Sequence, residues 1–325
     1  MNFRTTALVC AIAASASLAL PAHSQSSLTI YGRVDLGLFI QQGGTTPING
    51  GRAGNPFGDS TELKQGSAGR LGFRGTEDLG GGWYSGFTME HRFQPDTATP
   101  EVPFWQARSF VEIGSKTFGS VYLGREYIPA FWVALKLDPW GFDSVGTPGP
   151  KHQFANYTVD GGIRSNNTVG YKTPLWNGFQ ANLAVSAGEK LRHDSWGANL
   201  EYTNGPWYVA AAIDKTDEKQ KLSMVGVAYD FDIIRVALTR SLATVAGNKN
   251  RNTTLTGRIP VGPGVIKLSL AKLELGPLKD SNTRFGIGYE HFLSKRTSIL
   301  GNIGSAKQDR LTRTTLYDLT LKHNF

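Results

Sequence analysis

The amino-acid sequence predicts an all-β fold, a transmembrane antiparallel β-barrel of sixteen strands. Apolar and polar residues alternate with a period of two in segments along the whole chain, which places one face of each strand against an apolar medium. Short and longer connectors alternate between these segments, as they do in barrels that span a bilayer. Aromatic residues cluster near the segment ends, as expected at two membrane interfaces. They include Trp83, Trp105, Trp176, Trp196, Trp207 and Phe325.

The chain begins with the layout of a secretory signal peptide, predicted to cover residues 1–24. A short basic start precedes Thr5–Leu20, an apolar core that is too short and wrongly flanked to span a bilayer. Small residues precede a cleavage point ahead of Gln25, which leaves residues 25–325 as a single predicted barrel domain. The only cysteine, Cys10, lies in the removed segment, so the mature domain cannot form a disulfide. The alternative is an N-terminal anchor that stays in place.

Charge and hydropathy narrow the class of protein. Mean hydropathy is −0.25, which taken alone favours a soluble protein, but a membrane barrel faces lipid with only every second residue. The formal net charge of +8 favours anionic lipids or anionic solutes as partners. Nucleic acid is excluded as a partner because the chain is predicted to be exported and its basic residues form no runs.

The alternation is clear in the first predicted strand, over residues 28–40. Even positions from Leu28 to Ile40 are apolar or glycine, whereas odd positions from Thr29 to Asp35 are polar or aromatic. The sequence shows no helical period and no linker, so only strands and connectors are predicted. A soluble β-sandwich or β-helix is the alternative, but a sandwich needs the second strand face buried as well. The predicted strands span 27–40, 67–78, 82–93, 104–114, 119–127, 165–174, 178–188, 194–203, 206–214, 221–231, 233–242, 251–260, 264–274, 282–292, 296–306 and 314–325.

Several stretches carry motifs of a known family. They are Ser27–Gly37, Gly69–Gly80, Phe110–Gly114 with Phe118–Arg125, Asn167–Pro174 and the closing Leu321–Phe325. In these stretches the chain resembles the trimeric general porins of β-proteobacteria, and GRLGFRGTEDLG at Gly69–Gly80 is the most specific match. The chain departs from that family at Gly170, where these porins often carry a basic residue, and at Glu112, which replaces a usual glycine. The third connector is also unusually apolar over Phe131–Trp140.

The resemblance carries expectations about location and assembly. It implies a channel in the outer membrane of a Gram-negative bacterium, with its short turns on the periplasmic side. It implies passive diffusion of small hydrophilic solutes and ions, and a homotrimer in contact with outer-membrane lipids. It also implies that the third loop, Ile128–Arg164, folds back into the lumen and narrows it.

The predicted site is a pore constriction. Strand parity turns one set of arginines toward the lumen, because an arginine facing lipid would cost about 2–4 kcal/mol at mid-bilayer. Acids on the third loop opposite these arginines would set up a transverse field that sorts solutes by charge. For each arginine the alternative is a lumen position away from the narrow zone, and for the two loop aspartates it is a turn cap. The predicted wall residues are Arg33, Arg70, Arg74, Arg92, Arg108 and Arg164, and the predicted loop residues are Asp138 and Asp143.

Three functions are compatible with the sequence. The leading prediction is a non-specific channel with a mild anion preference, based on the net charge and the wall arginines. The alternative is a substrate-selective channel with a lumenal binding site, where Phe131, Trp132 and Trp140 offer stacking surfaces. An outer-membrane enzyme or adhesin is the third, but the loops after Arg164 are short for an adhesin. The histidines are scattered and no nucleophile pair is visible, so no enzymatic activity, cofactor or metal is predicted.

Overall fold

The computed structural model describes residues 26–48, 58–159, 162–190, 193–217, 219–276 and 280–325. The predicted signal peptide, residues 1–24, lies outside the described residues. The strands within these ranges are β1 (Ser27–Gln42), β2 (Ser60–Gln65), β3 (Gly69–Gly80), β4 (Trp83–Gln94), β5 (Thr99–Pro100), β6 (Arg108–Ser115), β7 (Gly119–Tyr127), β8 (Arg164–Lys172), β9 (Phe179–Ser186), β10 (Ser195–Asn204), β11 (Trp207–Asp217), β12 (Gln220–Asp230), β13 (Arg235–Val245), β14 (Asn248–Val261), β15 (Gly264–Leu275), β16 (Asp280–Phe292), β17 (Thr297–Gln308) and β18 (Thr314–Asn324). Two helices, α1 (Pro129–Leu137) and α2 (Gly149–Gln153), lie in the third loop.

The antiparallel sheet closes into a barrel because its first and last strands pair. Residues 33–42 of β1 pair with β18, and residues 27–33 of β1 pair with β3. The backbones of Gly32 and Phe325 complete the closure, each N–H donating to the other's carbonyl oxygen at 3.0 and 3.1 Å. A Cβ at Gly32 would lie 2.3 Å from Cζ of Phe325, so only glycine admits the terminal ring. The short strands β2 and β5 merely extend the pairing of β1 and β4, so the wall has the sixteen strands that the sequence predicts.

The two faces of the wall differ in the way that the alternation predicts. In β9, Leu183 and Val185 are 52% and 57% exposed, whereas Asn182 before them and Ser186 after them are 5% and 4% exposed. The exposed row is apolar because it faces hydrocarbon, and the buried row is polar because it faces the lumen. The outward face ends in exposed aromatic residues, as predicted for the interfaces; these include Trp83, Trp176, Trp196, Trp207 and Phe325.

The expectation of strands and connectors alone is wrong for the third loop. Its apolar run forms helix α1, which begins at Pro129, and the five residues after Pro148 form α2. α1 is apolar around most of its circumference, so no helical period marks it in the sequence. A helix suits an apolar run inside a barrel because it satisfies its own backbone hydrogen bonds. Within the described ranges, no helix is long and apolar enough to cross a membrane.

The third loop packs against the inner face of β10–β15. Its apolar residues share a core with wall residues that are mostly small, which lets the helix approach the sheet closely. Wall side chains also satisfy the helix ends: Ala130 N donates to Asp214 Oδ2 at 3.2 Å, and Thr256 Oγ1 donates to Leu137 O at 2.8 Å. The small wall residues in this core are Ala210, Ala212, Ala228, Ala237 and Ala243.

Two glycines on the inner face of the wall allow the third loop to pack closely against it after helix α1. A Cβ at Gly286 would lie 1.9 Å from the carbonyl oxygen of Gly146, and one at Gly304 would lie 2.0 Å from that of Val145. The loop backbone therefore rests directly on β16 and β17. The remaining part of the lumen, beside β1, β3, β4, β6 and β7, is where the candidate site lies.

Candidate pore constriction

Three arginines form a row across neighbouring strands on the lumen side. In the register of the sheet, Arg33 of β1 stands opposite Arg70 of β3, and Arg70 stands opposite Arg92 of β4. Like charges directly opposite one another destabilise a sheet unless other groups offset them. The row is therefore a concentration of positive charge that the rest of the lumen has to balance.

Carboxylates balance part of this charge. Arg33 Nη1 donates to Asp143 Oδ2 of the third loop at 2.6 Å. Arg92 Nη2 lies 2.9 Å from Glu90 Oε1 on its own strand. Arg108 on β6 makes a two-pronged contact with Glu126 of β7, with Nη2 2.5 Å from Oε2 and Nε 3.0 Å from Oε1. Such bidentate pairs hold both side chains in a fixed orientation.

Arg70 and Arg74 have no carboxylate partner among the described residues. Arg70 is half-buried, and its Nε is a buried donor without a partner. Arg74 is exposed to the lumen and lies with its guanidinium carbon 5.4 Å from the ring centre of Tyr31. Arginine stays charged at any working pH. Because neither positive charge is neutralised by a carboxylate, both can attract passing anions.

Tyr127 holds the arginine at the return of the third loop. Arg164 Nη2 donates to Tyr127 Oη at 2.5 Å, and its guanidinium carbon lies 4.3 Å from the tyrosine ring centre. Arg92 Nη2 donates to the same oxygen at 3.2 Å. The ring of Phe131 in α1 stacks on Tyr127 with centroids 3.7 Å apart, so the arginines are anchored to the loop as well as to the wall.

These groups surround one cavity of about 550 Å³. Five arginines and three carboxylates line it, a formal surplus of two positive charges. Arg33 joins this set through Asp143, one of the three carboxylates. The opposite side of the cavity is formed by the third loop, with Trp132, Leu135 and Phe142 facing it. The cavity therefore has a cationic wall and an apolar, partly aromatic wall.

A tight backbone turn projects Asp143 toward the wall. Gly141, Phe142 and Ser144 have φ values of 66°, 68° and 73°. This left-handed region is costly for a bulky residue such as Phe142, so the surroundings must hold it. They do so through Ser144, whose N donates to Gly66 O at 3.0 Å and whose Oγ donates to Asp318 Oδ2 at 2.9 Å.

Asp138, the other predicted loop acid, lies away from the arginine row. Its carboxylate accepts a hydrogen bond from Trp140 N at 2.9 Å and another from the Thr147 hydroxyl, so it caps the turn. Burial raises the pKa of this carboxyl above its usual range. It borders a second cavity, of about 330 Å³, on the short-turn side of the loop. Trp140 is also turned away, donating from Nε1 to Asn302 Oδ1 at 2.8 Å, and it offers no stacking surface to the main cavity.

Sequence reasoning did not identify the cations on the short-turn side of the third loop, the side called below the loop from here on. Lys136 of α1 and Lys172 of β8 line a smaller cavity of about 210 Å³ that shares Arg108 and Trp132 with the main one. The second cavity adds Arg235, Arg258 and Lys267. The parity argument could have found Lys267, which lies on the buried face between Ile266 and Leu268, but it was not extended to that strand. Positive charge thus lines the lumen on both sides of the loop.

The departure at Gly170 has a structural reason. A Cβ there would lie 2.0 Å from Cζ of Tyr122, whose ring covers the glycine. Tyr122 Oη donates to Asn182 Oδ1 at 3.2 Å, which fixes the ring in place. A buried aromatic ring therefore occupies the space that a basic side chain at Gly170 would need.

Metal binding has no support in the part of the chain that the structure describes, where no group of three or more histidine, cysteine or acidic residues could hold an ion. Most of the side chains that line the cavity are charged or aromatic, so they can act on a solute through its charge and through direct contact.

Comparisons with known proteins agree with this geometry. Residues 7–311 match the family model described as Gram-negative porin. The chain is 31% identical over 314 residues to outer membrane porin protein 32 of Delftia acidovorans, covering 88% of this chain and 85% of that one. It is 24% identical over 271 residues to an outer membrane porin protein of Bordetella pertussis, covering 72% of this chain and 68% of that one.

A solved structure is similar over almost the whole length. The anion-selective porin from Comamonas acidovorans superimposes with a TM-score of 0.78 at 25% identity, covering 93% of this chain and all of that one. These relatives are channel proteins and not enzymes. The chain therefore belongs to the Gram-negative porin family and is an outer-membrane porin, through which small hydrophilic solutes cross by passive diffusion.

Proposed function

We propose that solutes pass this porin through the arginine-lined cavity with a mild preference for anions. The observation that carries the proposal is the surplus of positive charge at the cavity, where Arg70 and Arg74 have no carboxylate partner among the described residues. An anion gains attraction from these groups and a cation meets repulsion, and the low-dielectric wall of the barrel focuses the field. The anion-selective relative from Comamonas acidovorans supports the same direction.

The remaining wall residues have distinct parts in this proposal. Arg33, Arg92 and Arg108 are paired with acids and shape the field, whereas Arg70, Arg74 and Arg164 present charge to the solute. Asp143 is the acid that faces the wall, and Asp138 keeps the turn in shape. The cations below the loop continue the attraction toward the short turns.

Reversal potentials in a salt gradient test the proposal. The purified porin is inserted in planar bilayers, and the permeability ratio of chloride to potassium is measured for the wild type and for the double variant Arg70→Gln with Arg74→Gln. We expect chloride to be favoured in the wild type and the preference to fall to near unity in the double variant. Arg240→Gln is the matched control, because Arg240 is an exposed residue of the outward face. A cation preference in the wild type at neutral pH would refute the proposal.

We further propose a homotrimer that contacts outer-membrane lipids and is exported with a cleaved leader, residues 1–24. The motif resemblance to trimeric porins and the apolar outward face support this. The N-terminal residue of the purified protein tests the cleavage before Gln25. Cross-linking in detergent tests the trimer, and a monomeric product under conditions that keep the barrel folded would contradict it.

A substrate-selective channel is the second candidate. Trp132 and Phe142 favour it, because both line the cavity opposite the arginines. A water-filled diffusion pore has no need of aromatic side chains at that position.

A further inference from the structure

The aromatic residues at the cavity stand beside charged groups in a repeated arrangement. Cations on this side of the lumen lie close to aromatic rings. The pairs are Arg74 with Tyr31 at 5.4 Å, Arg164 with Tyr127 at 4.3 Å, Arg108 with Trp132 at 5.2 Å and Lys172 with Tyr122 at 5.0 Å. The three arginines line the main cavity, and Lys172 lines the smaller cavity below it. The lumen therefore offers charge and aromatic surface together on both sides of the loop.

Several donors at the cavity are desolvated and unused. Nε of Arg70, Nε of Arg164 and Nε1 of Trp132 are buried without a hydrogen-bond partner in the described structure. These buried nitrogens are closed to a ligand, so what Arg70 and Arg74 offer a solute is their outer guanidinium nitrogens, which meet no carboxylate among the described residues. A carboxylate is the acceptor best matched to guanidinium groups, because the two planar groups meet in a forked geometry.

The third-loop side of the cavity determines which chemical group, besides the carboxylate, the ligand should carry. Trp132, Leu135 and Phe142 are half-buried there, so part of each side chain faces the lumen. A small inorganic anion makes no use of these surfaces. A flat ring can stack on them, and it can also stack on the free faces of the guanidinium groups.

We propose that the cavity is a binding site for aromatic carboxylates, which it retains in transit more strongly than aliphatic ones. The carboxylate would meet Arg70 and Arg74, and the ring would lie against Trp132 and Phe142. Trp132 and Arg108 border both the main cavity and the one below it, so they stand where a bound acid would leave toward the short turns. This inference rests on the proposed anion preference and adds a substrate class to it.

Interruption of single-channel current tests the inference. Benzoate is added at neutral pH and compared with cyclohexanecarboxylate, which has the same charge and a similar size without an aromatic face. We expect benzoate to block for about threefold to tenfold longer per event in the wild type, which corresponds to the usual strength of an aromatic pair. Trp132→Leu should reduce that ratio to less than about twofold, because it keeps an apolar side chain and removes the ring.

Two further variants complete the design. Trp176→Leu is the matched control, because Trp176 is 69% exposed in a short turn outside the lumen and should leave the ratio unchanged. Arg70→Gln with Arg74→Gln should shorten the block by both acids. Equal block times for the two acids in the wild type would overturn the inference, and that measurement does not depend on any variant folding.

The outcomes separate this inference from the proposed function. Chloride preference is measured in the same bilayers before any acid is added. Anion preference with equal block by the two acids overturns the aromatic site alone. An absence of anion preference overturns the proposed function as well. Loss of chloride preference in Trp132→Leu would also count against the inference, since the ring would then act only by orienting Arg108.

Discussion

The ion pair between Arg33 and Asp143 joins the first strand of the barrel to the third loop, with Nη1 and Oδ2 2.6 Å apart. Arg33 is also tied to the last strand, because its Nε donates to Asn324 Oδ1 at 2.8 Å. One guanidinium group therefore links the barrel seam to the loop that narrows the pore. Asp143 in turn supplies one of the three negative charges on the cavity.

Replacing Asp143 by asparagine should raise the anion preference. The change keeps the size of the side chain and removes a negative charge from the cavity. A unit charge about 8 Å from a passing ion is worth about 0.5 kcal/mol in water-like surroundings. Because the effect has opposite signs for anion and cation, we expect the chloride-to-potassium permeability ratio to rise by about twofold to fivefold. Reversal potentials at low ionic strength check this, since salt screens the field.

Asp309→Asn is the control for that experiment. Asp309 accepts hydrogen bonds from Ser281 at 2.8 and 3.0 Å in an exposed loop, far in sequence from the third loop. Its neutralisation should change the ratio much less than that of Asp143. Equal effects of the two variants would mean that the net charge of the protein, and not the charge at the cavity, sets the preference.

A methyl group at Gly304 should displace the third loop. The Cβ of an alanine would lie 2.0 Å from the carbonyl oxygen of Val145, and a backbone atom cannot move as cheaply as a side-chain tip. The loop has to shift from β17 toward the open part of the lumen. We expect Gly304→Ala to lower the single-channel conductance and to cost about 1–3 kcal/mol of stability, as overpacking usually does.

Gly301→Ala on the same strand is its matched control. A Cβ at Gly301 would meet only Leu319 Cδ1, at 3.9 Å, which is an ordinary contact. Conductance and thermal stability should stay at wild-type values. If Gly304→Ala behaves like Gly301→Ala in both measurements, the loop does not rest on β17 in the working channel.

The wall could be predicted from the sequence because each strand of a closed barrel meets only two environments. An arginine such as Arg74 or Arg108 must share a face with its polar neighbours, so parity is enough to turn it inward. The depth of an arginine along the pore axis cannot be predicted in this way, because it depends on how each strand is offset from the next. That Arg33, Arg70 and Arg92 stand in one row follows from the registers of β1, β3 and β4, which parity does not determine.

The loop interior was less accessible to prediction. The apolar run Phe131–Leu137 has no polar face, so its helix leaves no period, and its seat depends on small residues from β11–β13 that are distant in sequence. In the sequence, nothing distinguishes Asp138 from Asp143, since both are acids of the third loop. In the structure, Asp138 accepts hydrogen bonds from Thr147 and from Trp140 N within its own turn. Asp143 lies between two residues with positive φ, and this turn directs its side chain toward the wall.

Removing Arg108 should destabilise the barrel more than removing Arg74. The Glu126 side chain is fully buried beside Arg108, so Arg108→Gln leaves an unpaired charge in the wall. Breaking a buried pair from one side costs about 3–5 kcal/mol. Arg74 is exposed and pairs with no acid in the described structure, so Arg74→Gln should cost little. Urea unfolding in detergent measures both, and the double variant Arg108→Gln with Glu126→Gln should recover much of the loss.

Acidification should loosen the third loop through His152. This residue of α2 is buried, and burial together with the nearby charge of Arg284 lowers its pKa to about 3. Nε2 donates to Asn282 Oδ1 at 3.1 Å, while Nδ1 is buried without a partner. An unfolded histidine has a pKa of about 6.5. Between these values the unfolded chain binds the extra proton, so the contribution of neutral His152 is complete above about pH 6.5 and is lost as the pH falls toward 3.

Thermal unfolding at pH 7 and pH 4 in the wild type and in His152→Gln checks this pH dependence. Glutamine is neutral at both pH values and keeps a donor for Asn282, so the variant should lose less stability on acidification than the wild type. The buried Asp138 carboxyl has a raised pKa and contributes with the opposite sign, but it is present in both proteins and cancels in the difference. If both proteins lose the same stability between pH 7 and pH 4, His152 does not couple the loop to pH, and the acid response must come from carboxylates of the wall.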